Sequence, residues 1–251
     1  MAHRSALLVG LKQVDPTTHT SGWNASNGTE GSELDVDNMA RLLIPLGFRV
    51  KTLKTSEATH HAILQALREA AQTTKPGELF VFYYSGHGGQ QPDFKSTNID
   101  EGDGKDETLV AYDKDIIDDD LNDIWCSFAE GAGIFMISDS CNSGTLYKGF
   151  RDFRALTPVM PVIDPLVNNK MRAQLIHFGG CLDGSNAEGH RDGGLFTMAL
   201  CRVWNNGAFQ GNYRTLLEST IPMIDMIQKP QYHEFGPVTD RFRNARPFEV
   251  G

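Results

Sequence analysis

The chain has 251 residues, of which 40% are hydrophobic, 22% charged and 9% aromatic, a composition that fits one large α/β domain and excludes a disordered, collagenous or fibrous chain. The formal charge of −9 is concentrated: twelve acidic residues and three lysines fall between Asp93 and Asp123, and the rest of the chain is neutral overall. Such a distribution argues against nucleic-acid binding and for a cationic partner or a hard metal ion.

The first predicted element is a short buried strand, Ala6 to Val9 closed by Gly10, because four consecutive apolar residues before a glycine suit a strand covered on both faces. A loop rich in Thr, Ser, Gly and Asn occupies 12–33, and Leu34, Met39, Leu42 and Leu43 then mark a helix ended by Pro45 and Gly47. Phe48 to Leu53 reads as a strand, and Ser56 with Glu57 is expected to open a helix through Ile63, Leu64, Leu67 and Ala71, stopped by Pro76 and Gly77. Leu79 to Tyr84 is a β-branched and aromatic run too short for a helix, hence a central strand, and it leads into Ser85, Gly86, His87, Gly88 and Gly89. After the acidic stretch, read as a loop, Ile134 to Ile137 makes a second apolar strand that leads into Ser138, Asp139, Ser140, Cys141 and Asn142. A connection with three prolines and five basic residues spans 145–172 and is read as mobile. Ala173 to Phe178 resumes a strand, Leu195 to Trp204 and Tyr213 to Met226 are helical with an interruption at Pro222, and the chain from Gln228 onward is loop or short strand.

Strands alternating with helices predict a mostly parallel sheet of about six or more strands with helices on both faces, and ligands of such sheets lie beyond the carboxyl ends of the strands. His87 and Cys141 both fall there. A thiol is a poor nucleophile until deprotonated, and an imidazole on the neighbouring strand stabilises the thiolate and carries its proton. The flanking glycines would let a carbonyl approach the backbone, where the amides of Gly88 and Cys141 could hold an oxyanion. Phosphatase, dinucleotide-binding and serine-elbow readings fail on spacing: Tyr147 stands where a phosphate-binding Arg is needed, and neither GxGxxG nor GxSxG occurs at these turns. Cys126 and Cys201 sit in apolar helical contexts and are assigned to the core, and the four cysteines are too scattered for a disulfide framework. No apolar run approaches a membrane span, so a cytoplasmic, non-membrane protein is expected.

YYSGHGGQ (Tyr83 to Gln90) and SDSCNSGT (Ser138 to Thr145) resemble the two catalytic motifs of the metacaspases, cysteine peptidases of caspase-like fold, and ALLVGL, LDVDNMARLL, DETLVAYD, GGCLDGSNAE, GGLFTMAL and QKPQ extend the resemblance along most of the chain in the family's order. The resemblance implies a single caspase-like domain over 1–251, with a larger part to about residue 147, a connection at about 148–172 and a smaller part beyond. It implies a His87 and Cys141 dyad that cleaves after Arg or Lys through a thioester, and a cation pocket formed by Asp35, Ser85 and Asp139, with Asp37 as a rival to Asp35. Two carboxylates around one guanidinium would give charge-assisted bidentate bonds and repel an acidic side chain. The partners so implied are peptides or proteins with Arg or Lys at the cut, and a monomer is expected over a dimer. Calcium, as activator rather than reagent, is implied at Asp103, Asp118 and Asp119, although Lys148 stands where the family carries an acidic ligand and weakens that site. Lys148, Arg151, Arg154, Lys170 and Arg172 are candidate self-cleavage positions. The competing reading is an inactive caspase-like module that binds basic peptides, against which the retention of both His87 and Cys141 counts.

Overall fold

The computed structural model describes residues 3–19, 29–92, 105–142, 169–180, 193–224 and 230–249. Among them eight strands form one sheet, with spatial order β2-β1-β3-β6-β7-β8 and with β4 and β5 as a side branch from β3. The strands are β1 (Arg4–Gly10), β2 (Arg49–Lys54), β3 (Leu79–Pro92), β4 (Lys105–Leu109), β5 (Ile116–Ile117), β6 (Gly133–Asn142), β7 (Gln174–Gly180) and β8 (Gln231–Phe235). The five strands β2, β1, β3, β6 and β7 run parallel, and β8 and the β3–β4–β5 branch are antiparallel. The helices are α1 (Ser32–Leu43), α2 (His60–Thr73), α3 (Asp118–Ser127), α4 (Leu195–Trp204), α5 (Tyr213–Thr220) and α6 (Asp240–Asn244).

Side chains alternate along a strand, so each central strand feeds two cores. Phe80, Phe82, Ile134 and Met136 pack under α2 and α3 with Leu64, Leu67, Leu121 and Trp125. Val81, Tyr83, Phe135 and Ile137 pack under α1, α4 and α5 with Val36, Met39, Phe196, Leu200 and Leu216. On that second face Phe135 is ringed edge-on by Phe178 and Tyr213, each with ring centroids 4.8 Å away.

Most predicted elements stand where the periodicity put them; four differ. Thr55–Glu57 is a separate 3₁₀ turn, and α2 starts at His60 because the Thr59 side chain caps it by accepting from the Ala62 amide. The β3 strand does not end at Tyr84: glycines 86, 88 and 89 lie inside it, and its distal half pairs antiparallel with β4, from Gly88↔Leu109 to Pro92↔Lys105. The acidic stretch is therefore not one loop, since its second half builds β4, β5 and α3, and its Asp118–Asp120 triplet forms the first turn of α3, where carboxylates suit the helix dipole. The chain beyond Gln228 includes α6 as well as β8. Cys126 and Cys201 are partly buried against the two cores rather than fully inside them. The 145–172 connection lies almost wholly outside the described residues, as do Asp103 and Lys148. No helix of the described residues is long and apolar enough to cross a membrane.

Candidate active site

Two parallel strands place the predicted dyad. In the β3–β6 ladder Ser85 pairs with Asp139 and His87 with Cys141, so the two positions face each other across one strand spacing, about 4.8 Å. Cys141 is two residues beyond Asp139 and His87 two beyond Ser85, so all four positions share one parity, that of the α1/α4 face. Gly88, proposed from the sequence as an oxyanion donor, follows His87 in the same strand, opposite Asn142 of β6 and Leu109 of β4.

The backbone around His87 is held from the other face. The Tyr84 hydroxyl is bifurcated between the His87 and Val110 carbonyls at 2.6 and 2.7 Å, the Val110 amide donates to the His87 carbonyl at 3.1 Å, and the Leu11 amide donates to the Ser85 carbonyl at 2.8 Å. This explains Gly86 better than substrate access does: a Cβ there would lie 2.6 Å from the Tyr84 hydroxyl. Likewise a Cβ on Gly89 would lie 2.8 Å from Thr108 Oγ1. His87 itself is buried at the rim of this scaffold.

The three residues predicted to hold a cation come together. Gly10 ends β1 so close to α1 that a Cβ would sit 2.5 Å from the Ser32 carbonyl, and this close approach lowers the first turn of α1, with Asp35, onto the sheet's carboxyl end. Ser85 Oγ donates to Asp35 Oδ2 at 2.9 Å, and the Gly194 amide, at the N-cap of α4, donates to both Asp35 oxygens at 2.8 and 3.0 Å. Asp139 reaches the same helix terminus from β6, where its Oδ2 accepts from the Thr197 amide at 3.1 Å and from Thr197 Oγ1 at 2.6 Å. A Cβ on Gly194 would fall 2.2 Å from Asp139 Oδ2 and 3.0 Å from Asp35 Oδ2, so both carboxylates share an opening only glycine provides. Asp37, the rival to Asp35, points elsewhere: it is half exposed and accepts from Lys54 Nζ at 2.6 Å.

Asp35 and Asp139 are 1% and 4% exposed, and no cation among the described residues offsets them. Burial first, and the Asp139 charge second, push the Asp35 carboxyl up to about 7, and burial raises Asp139 as well. The helix terminus and three donor residues hold the pair together, yet Asp139 Oδ1 has no hydrogen-bond partner among the described residues. A buried acceptor of this kind is costly unless a donor arrives, and a cationic side chain would supply one.

Sequence reasoning missed Gly194, Thr197 and the Tyr83 hydroxyl, which lies 2.6 Å from Thr197 Oγ1. The available signal was a Gly-Gly pair before a helical run with Thr in its first turn. It also missed a buried polar pair on the opposite face, Ser138 Oγ and His177 Nε2 at 2.8 Å, where burial and the neighbouring His233 bring the His177 imidazole down to about 3 and keep it neutral.

Of the acidic residues proposed for calcium, Asp118 and Asp119 lie in the first turn of α3 and Asp103 lies outside the described residues. Asp118 is buried and Asp119 exposed, and among the described residues no group of three or more His, Cys, Asp or Glu side chains could hold a metal ion. Histidines anchor neighbouring acids of the segment: His19 Nε2 lies 2.9 Å from Asp115 Oδ1, and His60 Nε2 lies 3.4 Å from Asp120 Oδ2.

Comparison with known proteins places this geometry in context. A family profile described as the caspase domain matches residues 3–234. Metacaspase-1 of Schizosaccharomyces pombe is 32% identical over 156 residues, covering 56% of this chain and 34% of that protein. The chain thus spans about a third of the length of the curated relatives it matches first. The crystal structure of protein GSU0716 from Geobacter sulfurreducens is 32% identical, with a TM-score of 0.81 and 99% of both chains covered. Caspase-1 from Spodoptera frugiperda, at 15% identity, shares the fold with a TM-score of 0.59, over 94% of this chain and 86% of that one.

Proposed function

Because the chain belongs to the caspase-domain family, as a member of its metacaspase type, we propose that it is a cysteine endopeptidase that cuts peptide bonds after Arg or Lys. The observation that carries this reading is the buried pair Asp35 and Asp139, which has no cation beside it and leaves Asp139 Oδ1 unsatisfied among the described residues, with Asp139 two residues before the cysteine that pairs with His87. A guanidinium or ammonium entering between Ser85, Asp35 and Asp139 would satisfy that oxygen and relieve the repulsion between the carboxylates. An aspartate side chain would add a third negative charge to a buried site, so acidic residues are rejected by the same groups.

With the basic side chain seated, the scissile carbonyl lies one step further along the strands, over Cys141. The thiol gives its proton to His87, and sulfur attacks the carbonyl carbon. The resulting oxyanion is received by the amides of Gly88 and Cys141. The C–N bond then breaks, His87 returns the proton to the leaving amine, and water hydrolyses the thioester to free Cys141. No step is routed through calcium.

The test is hydrolysis of fluorogenic peptides ending in Arg, Lys or Asp by the wild type and by Cys141→Ala, with calcium and with chelator. Turnover of the Arg and Lys peptides alone, lost in Cys141→Ala, is the expected result. Binding of basic peptides without turnover under any condition would favour an inactive caspase-like module instead.

A further inference from the structure

The bonding around Asp139 has a direction. Thr197 Oγ1 has one proton, and at 2.6 Å from Asp139 Oδ2 it gives that proton to the carboxylate. The Tyr83 hydroxyl, 2.6 Å from the same Oγ1, must then be the donor in its own contact, so the chain runs Tyr83 O–H to Thr197 O–H to Asp139 Oδ2. All three side chains are buried: Tyr83 and Thr197 have no exposed surface, so water does not substitute for either link. The Thr197 amide, in the first turn of α4, adds a second donor to the same oxygen. Among the described residues every donor to Asp139 thus falls on Oδ2, and Oδ1 has none. The carboxylate is fixed in rotation, with one oxygen anchored and one offered.

We propose that Thr197, backed by Tyr83, is a positioning residue for substrate selection: by anchoring Asp139 Oδ2 to α4 it presents Oδ1 to the incoming cation. This rests on the reading of Asp35, Ser85 and Asp139 as the cation pocket. Thr197 acts through Asp139, so it governs how well the basic side chain is held and leaves thiol chemistry alone. Hydrogen bonds to an ionised group in a buried setting strengthen one another along a chain, so removing the middle link weakens both ends.

The test compares the wild type, Thr197→Val, Thr197→Ser and Tyr83→Phe. Each is measured for kcat and KM on a fluorogenic peptide ending in Arg, for the rate at which iodoacetamide, a small neutral alkylator, modifies Cys141, and for thermal melting. Thr197→Val, which keeps the shape and loses the hydroxyl, is expected to raise KM by about 10- to 100-fold, the range of one hydrogen bond to a charged group. The same variant should keep kcat and the alkylation rate within about threefold of wild type, the signature of lost uniform binding. Thr197→Ser restores the hydroxyl and should bring KM back close to wild type, which a purely packing role for the methyl group would not do. Tyr83→Phe should raise KM by a smaller factor. A wild type that neither cuts nor binds an Arg peptide overturns the pocket reading itself. A wild type that cuts it, with Thr197→Val matching its KM or losing alkylation rate in parallel with kcat, overturns the role of Thr197. Should Thr197→Val lose a cooperative melt, Tyr83→Phe decides, and an unchanged KM in that variant refutes the proposal.

Discussion

Replacing Asp35 by Asn should make the protein more stable at mildly alkaline pH while abolishing cleavage after basic residues. In the folded chain the Asp35 carboxyl is held up at about 7, against an ordinary value of 3.8, by burial and by Asp139. An acid whose folded-state value is raised binds its proton more tightly in the native state than in the unfolded one, so native stability is greatest below the unfolded value. It falls as pH rises from about 4 to about 7 and is level above that. At about 1.4 kcal/mol per pH unit this window corresponds to a cost of roughly 4 kcal/mol for keeping Asp35 ionised at about pH 8. Asparagine avoids that cost but forfeits one acceptor, since Gly194 donates to both Asp35 oxygens and Ser85 to one, a loss of about 1–2 kcal/mol. The net gain at about pH 8 is therefore about 2–3 kcal/mol, and at roughly 2–4 °C per kcal/mol for a chain of this size the melting temperature should rise by about 4–12 °C. At about pH 4 the same substitution should be neutral or destabilising, because Asp35 is then already uncharged. The assay is thermal unfolding across that pH range in a Cys141→Ala background, which removes self-cleavage from the comparison. A difference between variant and parent that is independent of pH, or that favours Asp35 at alkaline pH, would refute the claim that the pocket stores charge repulsion for its substrate.

Three further outcomes follow from the same geometry. As pH falls below about 7 a proton competes with the substrate cation for the carboxylate pair, so KM for an Arg peptide should rise toward acid pH while the KM of a peptide ending in a neutral side chain stays flat, as read from full rate profiles. Gly194→Ala would drive a Cβ to within 2.2 Å of Asp139 Oδ2, and kcat/KM for Arg peptides should drop by about 100-fold or more, the order of loss that an ångström of misplacement brings. Asp37→Asn, by contrast, removes only a half-exposed pair with Lys54 and should shift stability by less than about 1 kcal/mol, with kcat/KM unchanged, which separates the two aspartates of α1 functionally.

Much of the fold and the centre of the site could be read from the residues because both rest on local signals. Continuous apolar runs such as Leu79 to Tyr84 and Ile134 to Ile137 mark buried parallel strands, and the His87 and Cys141 turns follow them in the same phase. The parity that aligns Ser85 with His87 and Asp139 with Cys141 is a property of the strand itself. What escaped was non-local. The β3 strand continues through three glycines because β6 pairs with it as far as Gly88 and β4, some twenty residues later, pairs with it from Gly88 to Pro92, whereas strand propensity near Gly86 to Gly89 points the other way. The acidic stretch reads as loop by composition, yet Leu109, Ile116, Leu121 and Trp125 tie it into the core under the sheet. Thr197 and Gly194 acquire their roles from a helix that arrives 159 residues after Asp35, and no spacing rule connects positions so distant. The acidic run also looks like a ligand set in sequence, whereas its Asp118–Asp120 part forms one helical turn, and Asp103 lies outside the described residues.

The measurement closest to the central claim is the ratio of kcat/KM for a peptide ending in Arg to that for its citrulline counterpart, which has the same shape and no charge, in the wild type and in Asp139→Asn. Removing the charge from one side of a buried, hydrogen-bonded pair costs about 2–5 kcal/mol, so the wild type should prefer Arg by about 30-fold or more, and the preference should collapse toward unity in Asp139→Asn. A wild type indifferent to the charge, or a preference that survives in Asp139→Asn, would contradict the account.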